Sequence, residues 1–199
     1  SWAARLAAAR GALIVGLSDV GGTIHSAGGL DLVAIDRAFR EGVRSVCDTG
    51  VGEVVTRGVT GSTAVFGLDC DIVMPCALGD AVGEIEANSI MAKLIVEGAN
   101  GPLTPTADLI MADKGAIIIP DVYANAGGVT CSYLEQCQNF AHLTWDEDEV
   151  NARVIDLMRA AFERFYVFAQ DSKLPNRLAA SVLGVKTIAD AHRMRGLHP

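Results

Sequence analysis

Four short apolar runs constrain this chain more than any other feature. They are Ala12-Leu13-Ile14-Val15-Gly16-Leu17, Asp71-Ile72-Val73-Met74-Pro75, Lys93-Leu94-Ile95-Val96-Glu97 and Ala116-Ile117-Ile118-Ile119-Pro120. Such short, continuous, Val/Ile-rich runs predict strands buried on both faces. Helical periodicity fills the intervals at residues 30–40, 83–92 and 105–114, the last with proline near its first turn. Residues 1–10 predict a further helix, with Trp2, Leu6 and Ala9 at helical spacing and Gly11 as its stop. The Gly-, Thr- and Val-rich stretch 43–67 predicts a short strand or two with turns. Strands alternating with helices imply an α/β fold around a parallel sheet covered on both faces.

From residue 125 the pattern is helical only. Thr144-Trp145-Asp146-Glu147 matches a capping box, with Asp148 and Glu149 adding acid to the first turn. Val150, Val154, Leu157, Met158, Ala161, Phe165 and Phe168 then form one apolar face, Leu174-Pro175 breaks the helix, and residues 177–195 form a last one. The expected division is an α/β part over 1–140 and a helical segment over 141–199.

Composition narrows the function classes. A chain of 199 residues can bury about 70% of its unfolded surface without a metal or disulfide staple. Half of it is hydrophobic and 20% is charged, which argues against disorder. The net charge of −8, with no basic block, argues against nucleic acid as a partner. No apolar run approaches the roughly 18 residues of a membrane span, so no membrane partner is expected. Five cysteines without a C-x-x-C fit reduced thiols in a cytoplasmic compartment. The sequence opens on Ser1-Trp2, with no Met and no signal peptide, as though inside a helix.

In a parallel α/β sheet, ligands bind at the carboxyl ends of strands. The first run leads into Ser18-Asp19-Val20-Gly21-Gly22, where an acid can hold a ribose hydroxyl or start an Asx turn. The second leads into Cys76-Ala77-Leu78, small enough for a flat ring to approach or simply a turn after proline. The third leads into Gly98-Ala99-Asn100-Gly101-Pro102, where Asn100 offers both a donor and an acceptor. The fourth leads through Asn125 to Gly127-Gly128, a helix start suited to a carboxylate or phosphate, with Ser132 a little further on. Two Asn-Gly-rich loops at successive strand ends point to one shared crevice. The usual G-x-G-x-x-G is absent: Gly50-Val51-Gly52 lacks its third glycine. His25, His142, His192 and His198 show no metal spacing, and no lysine stands out as a base.

The strings Asp69-Cys70-Asp71-Ile72-Val73-Met74-Pro75-Cys76-Ala77-Leu78, Glu97-Gly98-Ala99-Asn100-Gly101-Pro102 and Ala124-Asn125-Ala126-Gly127-Gly128, continued by Ser132-Tyr133-Leu134-Glu135, resemble the C-terminal nucleotide-binding half of the glutamate dehydrogenase family. The resemblance implies a Rossmann-like sheet without its first strand and glycine-rich loop, followed by a helical tail. It implies reversible oxidative deamination of L-glutamate to 2-oxoglutarate and ammonia, with hydride transfer to NAD or NADP. It places Ser18 and Asp19 by the adenosine ribose, Ala77 by the nicotinamide ribose, and Asn100 and Asn125 on the nicotinamide side. Asn125 also approaches substrate, and Ser132 donates to the substrate's side-chain carboxylate. The catalytic residues belong to an N-terminal domain that these residues do not include, so the isolated segment is expected to be inactive. A homo-oligomer, commonly a hexamer, follows from the family, and a mitochondrial origin stays open beside the cytoplasmic one. The alternative is a non-catalytic nucleotide-binding or regulatory module retaining this half of the fold.

Overall fold

A computed structural model describes residues 2–196, so Ser1 and His198 lie outside the described residues. In chain order the elements are α1 (Trp2–Ala9), β1 (Gly16–Asp19), β2 (Gly22–His25), α2 (Leu32–Arg40), β3 (Glu53–Arg57), β4 (Ile72–Val73), α3 (Glu84–Ser89), β5 (Leu94–Val96), α4 (Pro105–Asp113), β6 (Ile117–Ile119), α5 (Asp121–Ala124), α6 (Gly127–Ala141), α7 (Glu147–Ser172) and α8 (Asn176–Arg195). They belong to two compact units interleaved along the chain. One holds the chain up to Val73 with Asp80–Lys93 and Leu103–Gly115; the other holds Met74–Gly79, Leu94–Pro102 and the chain from Ala116 onward.

The first unit departs from the expected parallel pattern. The buried strand anticipated at 12–17 is instead β1, which starts at Gly16, is half-buried, and leaves Leu13 62% exposed. β1 pairs antiparallel with β2, and β2 pairs antiparallel with β3. The cause is local: Asp19 pairs with Gly22 across a two-residue loop, Val20-Gly21. A connection that short returns the chain beside itself and cannot make a parallel crossover. Gly22 is essential to the return. Its φ is +130°, and an added Cβ would stand 2.2 Å from the Thr56 carbonyl oxygen and 2.8 Å from Arg57 Cα. A core of Ile24, Leu30, Ile35, Val46 and Cys47 packs behind the hairpin. The expected face of α1 is mostly in solvent: Trp2 and Leu6 are exposed and Ala4 is the buried residue. β4 is shorter than the run at 71–75, and Ile72 is exposed.

Helix starts follow side-chain chemistry. Asp31 caps α2 by accepting from the backbone N–H groups of Val33 and Ala34, at 3.0 and 2.9 Å. Thr104 caps α4 by accepting from the Ala107 N–H at 3.2 Å, with Pro105 as the first helical residue. Lys114 closes the C-terminal end of α3, donating to the carbonyls of Ala87, Asn88 and Ile90 within 2.9 Å.

In the second unit β5 and β6 are parallel, with Leu94, Ile95 and Val96 opposite Ile117, Ile118 and Ile119. α7 begins two residues later than its capping-box pattern suggests. The cap is Asp146, which accepts from the Glu149 N–H at 2.8 Å. Trp145 is drawn out of the helix because its N–H donates to Gln138 Oε1 at 2.7 Å and its ring lies under the Arg153 guanidinium, 4.2 Å away. Phe165 and Ala169 of α7 and Ala179 of α8 form the helical core, flanked by Phe162, Phe168, Leu174, Ala180 and Leu183. Leu157, expected on that face, is 43% exposed.

Gly22→Ala is expected to lower stability by about 1–3 kcal/mol, because it places a side chain in a strained conformation against backbone. Thermal denaturation beside the parent protein checks this, and an unchanged melting point would refute the close approach.

Candidate functional site

The strand-end loops of the second unit converge. The Pro75 carbonyl accepts from the N–H groups of Gly98 and Ala99, at 3.0 and 2.9 Å, and so ties the loop carrying Ala77 to the loop carrying Asn100. Glycine is needed at this joint: a Cβ on Gly98 would meet Cys76 Sγ at 2.6 Å, and one on Gly79 would meet the Asn100 carbonyl oxygen at 3.1 Å. The third loop joins through side chains, as Asn125 Nδ2 donates to Asn100 Oδ1 at 2.6 Å. Asn125 holds its place as the residue that ends α5, its N–H donating to the Asp121 carbonyl at 3.1 Å. The structure therefore ties together the loops that carry Ala77, Asn100 and Asn125.

Beneath them lies an ionic network. Glu97, at the end of β5, has no exposed surface. Arg177 donates to both of its oxygens, Nη2 to Oε1 at 2.7 Å and Nη1 to Oε2 at 2.9 Å. Oε2 also accepts from the Asp121 N–H at 2.9 Å. The Asp121 carboxylate in turn accepts from the Gly101 N–H at 2.7 Å and lies 3.6 Å from Arg177 Nη1. A carboxylate withdrawn from water this far needs such partners to stay charged. Sequence reasoning passed over Glu97, Asp121 and Arg177 as functional residues. The available signal was an acid closing an apolar strand, which requires a cation brought from elsewhere in the chain.

α6 starts without a side-chain cap, and a Cβ on Gly127 or Gly128 would meet nothing within 4 Å. Ser132 is exposed on the same helix. Desolvation pushes the Cys76 thiol above its ordinary value although the residue is exposed, which argues against a reactive thiolate. Among the described residues no cluster of His, Cys, Asp and Glu has the makings of a metal site.

Ser18 and Asp19 lie in the first unit. Ser18 Oγ donates to the Ser62 carbonyl at 2.6 Å. Asp19 makes the Asx turn: Oδ1 accepts from the Gly21 N–H at 2.8 Å and from Ser45 Oγ at 3.0 Å, and Oδ2 accepts from the Val46 N–H at 2.7 Å. Its carboxylate thus holds the hairpin turn and the short 3-10 turn Val46–Asp48.

The whole of this arrangement lies within one family match. The chain matches Glutamate/Leucine/Phenylalanine/Valine dehydrogenase over residues 1–196. It belongs to that family. It is 40% identical over 187 residues to the NAD-specific glutamate dehydrogenase of Staphylococcus aureus, a match covering 94% of this chain and 43% of that protein. The hetero-hexameric glutamate dehydrogenase of Thermus thermophilus superimposes with a TM-score of 0.81 at 26% identity, covering 98% of this chain and 45% of the other. The glutamate dehydrogenase of Plasmodium falciparum shares the fold with a TM-score of 0.82 at 22% identity, covering 99% of this chain and 44% of the other. The chain therefore spans under half the length of these relatives. Its α/β fold with a parallel strand pair is the fold of this part of the family.

Asp19→Ala removes the acceptor for Val46 N–H and Ser45 Oγ, and is expected to cost about 1–3 kcal/mol of stability. Urea denaturation measures it; a loss near zero would mean that water replaces these bonds.

Proposed function

We propose that this chain supplies the coenzyme-binding surface, and part of the substrate-binding surface, of an NAD- or NADP-dependent glutamate dehydrogenase. The observation that carries this reading is the Asn100–Asn125 contact at 2.6 Å, which sets two side-chain amides together at adjacent strand-end loops. The donor set fits a nicotinamide. Asn100 keeps both Nδ2 protons, while Asn125 keeps its Oδ1 and one proton, so the pair complements a carboxamide that offers one acceptor and one donor group. A bound nicotinamide supplies the hydride acceptor for oxidation of L-glutamate to 2-oxoglutarate and ammonia. The residues of this chain orient it: Asn100 and Asn125 hold the carboxamide, and Ala77 gives its ribose room. Ser132, with the first turn of α6, which has no side-chain cap, receives the substrate's distal carboxylate. Proton transfer to and from the substrate belongs to residues outside these 199. The Staphylococcus aureus relative favours NAD as the coenzyme, and the hetero-hexameric Thermus thermophilus relative favours a hexamer. No described helix is long and apolar enough to cross a membrane; a cytoplasmic location is part of the proposal.

The test is glutamate-dependent reduction of NAD or NADP. Turnover is expected from the protein that carries this chain together with a substrate domain, and none from residues 1–199 alone. Coenzyme binding without turnover in the full protein would favour a non-catalytic module. Asn125→Ala is expected to lower turnover by about 100-fold, the scale of a small misplacement of reacting groups. Ser132→Ala is expected to weaken glutamate binding by about 1–3 kcal/mol, read from KM, by leaving a carboxylate oxygen unpaired. Unchanged kinetics in both variants would remove the crevice from the reaction.

A further inference from the structure

We propose that Arg177 is a positioning residue for the coenzyme crevice: acting through Glu97 and Asp121, it holds the Asn100 and Asn125 side chains at the spacing that meets a nicotinamide carboxamide. The inference rests on the crevice reading above.

The links form a closed ring. Arg177 grips Glu97 with two parallel hydrogen bonds, 2.7 and 2.9 Å. Glu97 takes the Asp121 N–H at 2.9 Å, which sets the first residue of α5. One turn later the Asp121 carbonyl takes the Asn125 N–H at 3.1 Å. Asn125 reaches Asn100 at 2.6 Å, and Asn100 lies three residues beyond Glu97. Asp121 also braces the intervening loop through the Gly101 N–H at 2.7 Å. Asn125 is thus two hydrogen bonds from the buried carboxylate and Asn100 three.

Two features argue that this ring serves direction rather than stability alone. A buried ion pair is weak as a source of stability, because apolar side chains of similar volume often do as well. A guanidinium–carboxylate fork does something apolar packing cannot, since it sets both distance and plane. Arg177 is also the second residue of α8, whose first turn carries no acid. The helix dipole disfavours a cation there, so helix stability does not explain it. The neighbouring Asn176 Nδ2 donates to the Ile118 carbonyl at 2.9 Å and fixes the helix start against β6.

The experiment uses the complete protein carrying Arg177→Met or Arg177→Lys, with Asn100→Ala and Asn125→Ala beside them. Affinities for NADH and for ADP-ribose, which lacks the nicotinamide, are measured well below each melting temperature, together with kcat and KM. Arg177→Met is expected to weaken NADH at least 10-fold and ADP-ribose less than 2-fold, with kcat falling as well. Arg177→Lys, which keeps the charge but loses the fork, is expected between Arg177→Met and the parent, and carries the test if Arg177→Met does not fold. A lowered melting point with an unchanged NADH-to-ADP-ribose ratio in the Lys variant overturns the proposal and leaves Arg177 structural. If the asparagine variants shift the ratio and the Arg177 variants do not, positioning fails while the crevice stands. If the asparagine variants leave the ratio unchanged, the crevice reading fails and takes the proposal with it.

Discussion

The bidentate contact between Glu97 and Arg177 is the constraint on which the second unit depends. A carboxylate with no exposed surface sits at the end of β5, where the parallel strands stop and the strand-end loops begin. Its position couples three segments that are separate in the chain: the loop after β5, the start of α5, and the first turn of α8. Burial of Glu97 without Arg177 would remove its main partner, so α8 is tied to the loop after β5, although the core of α7 and α8 is a plain aromatic and alanine packing.

The first unit depends on backbone space instead. Gly22 passes so close to the strand carrying Thr56 and Arg57 that only a residue without Cβ fits. Asp19 spends its carboxylate on the same turn, holding Gly21, Ser45 and Val46. The acid at the end of β1 is thereby the residue that shapes the loop.

Much of this was legible in the sequence where the signal is local. The apolar runs at 93–97 and 116–120 are strands because Ile and Val favour a pleated strand, and they pair in parallel as the alternation with helices implies, but β6 is not buried on both faces as expected, since Ile117 is exposed. The loops after them carry Asn100 and Asn125, which the structure joins by a hydrogen bond that neither loop's sequence shows. The failures share a cause. The run at 12–17 looked like a buried central strand, but the two-residue turn at Val20-Gly21 forces an antiparallel return and moves the strand to Gly16–Asp19. Thr144 looked like a cap until Gln138 and Arg153 claimed Trp145, which left Asp146 to start the helix. In each case a partner outside the window decided between two locally acceptable structures.

The sequence by itself determined the element types, the polar and glycine-rich chemistry of the strand-end loops, and the family. Hydrophobic period, turn residues and motif strings are properties of neighbouring positions, so they need no fold to be read. Only the tertiary structure decided which carboxylates are committed inside the protein. Glu97 and Arg177 are eighty residues apart, and neither shows a local sign of the other. Pairing and burial over that distance exist only once the chain has folded back on itself.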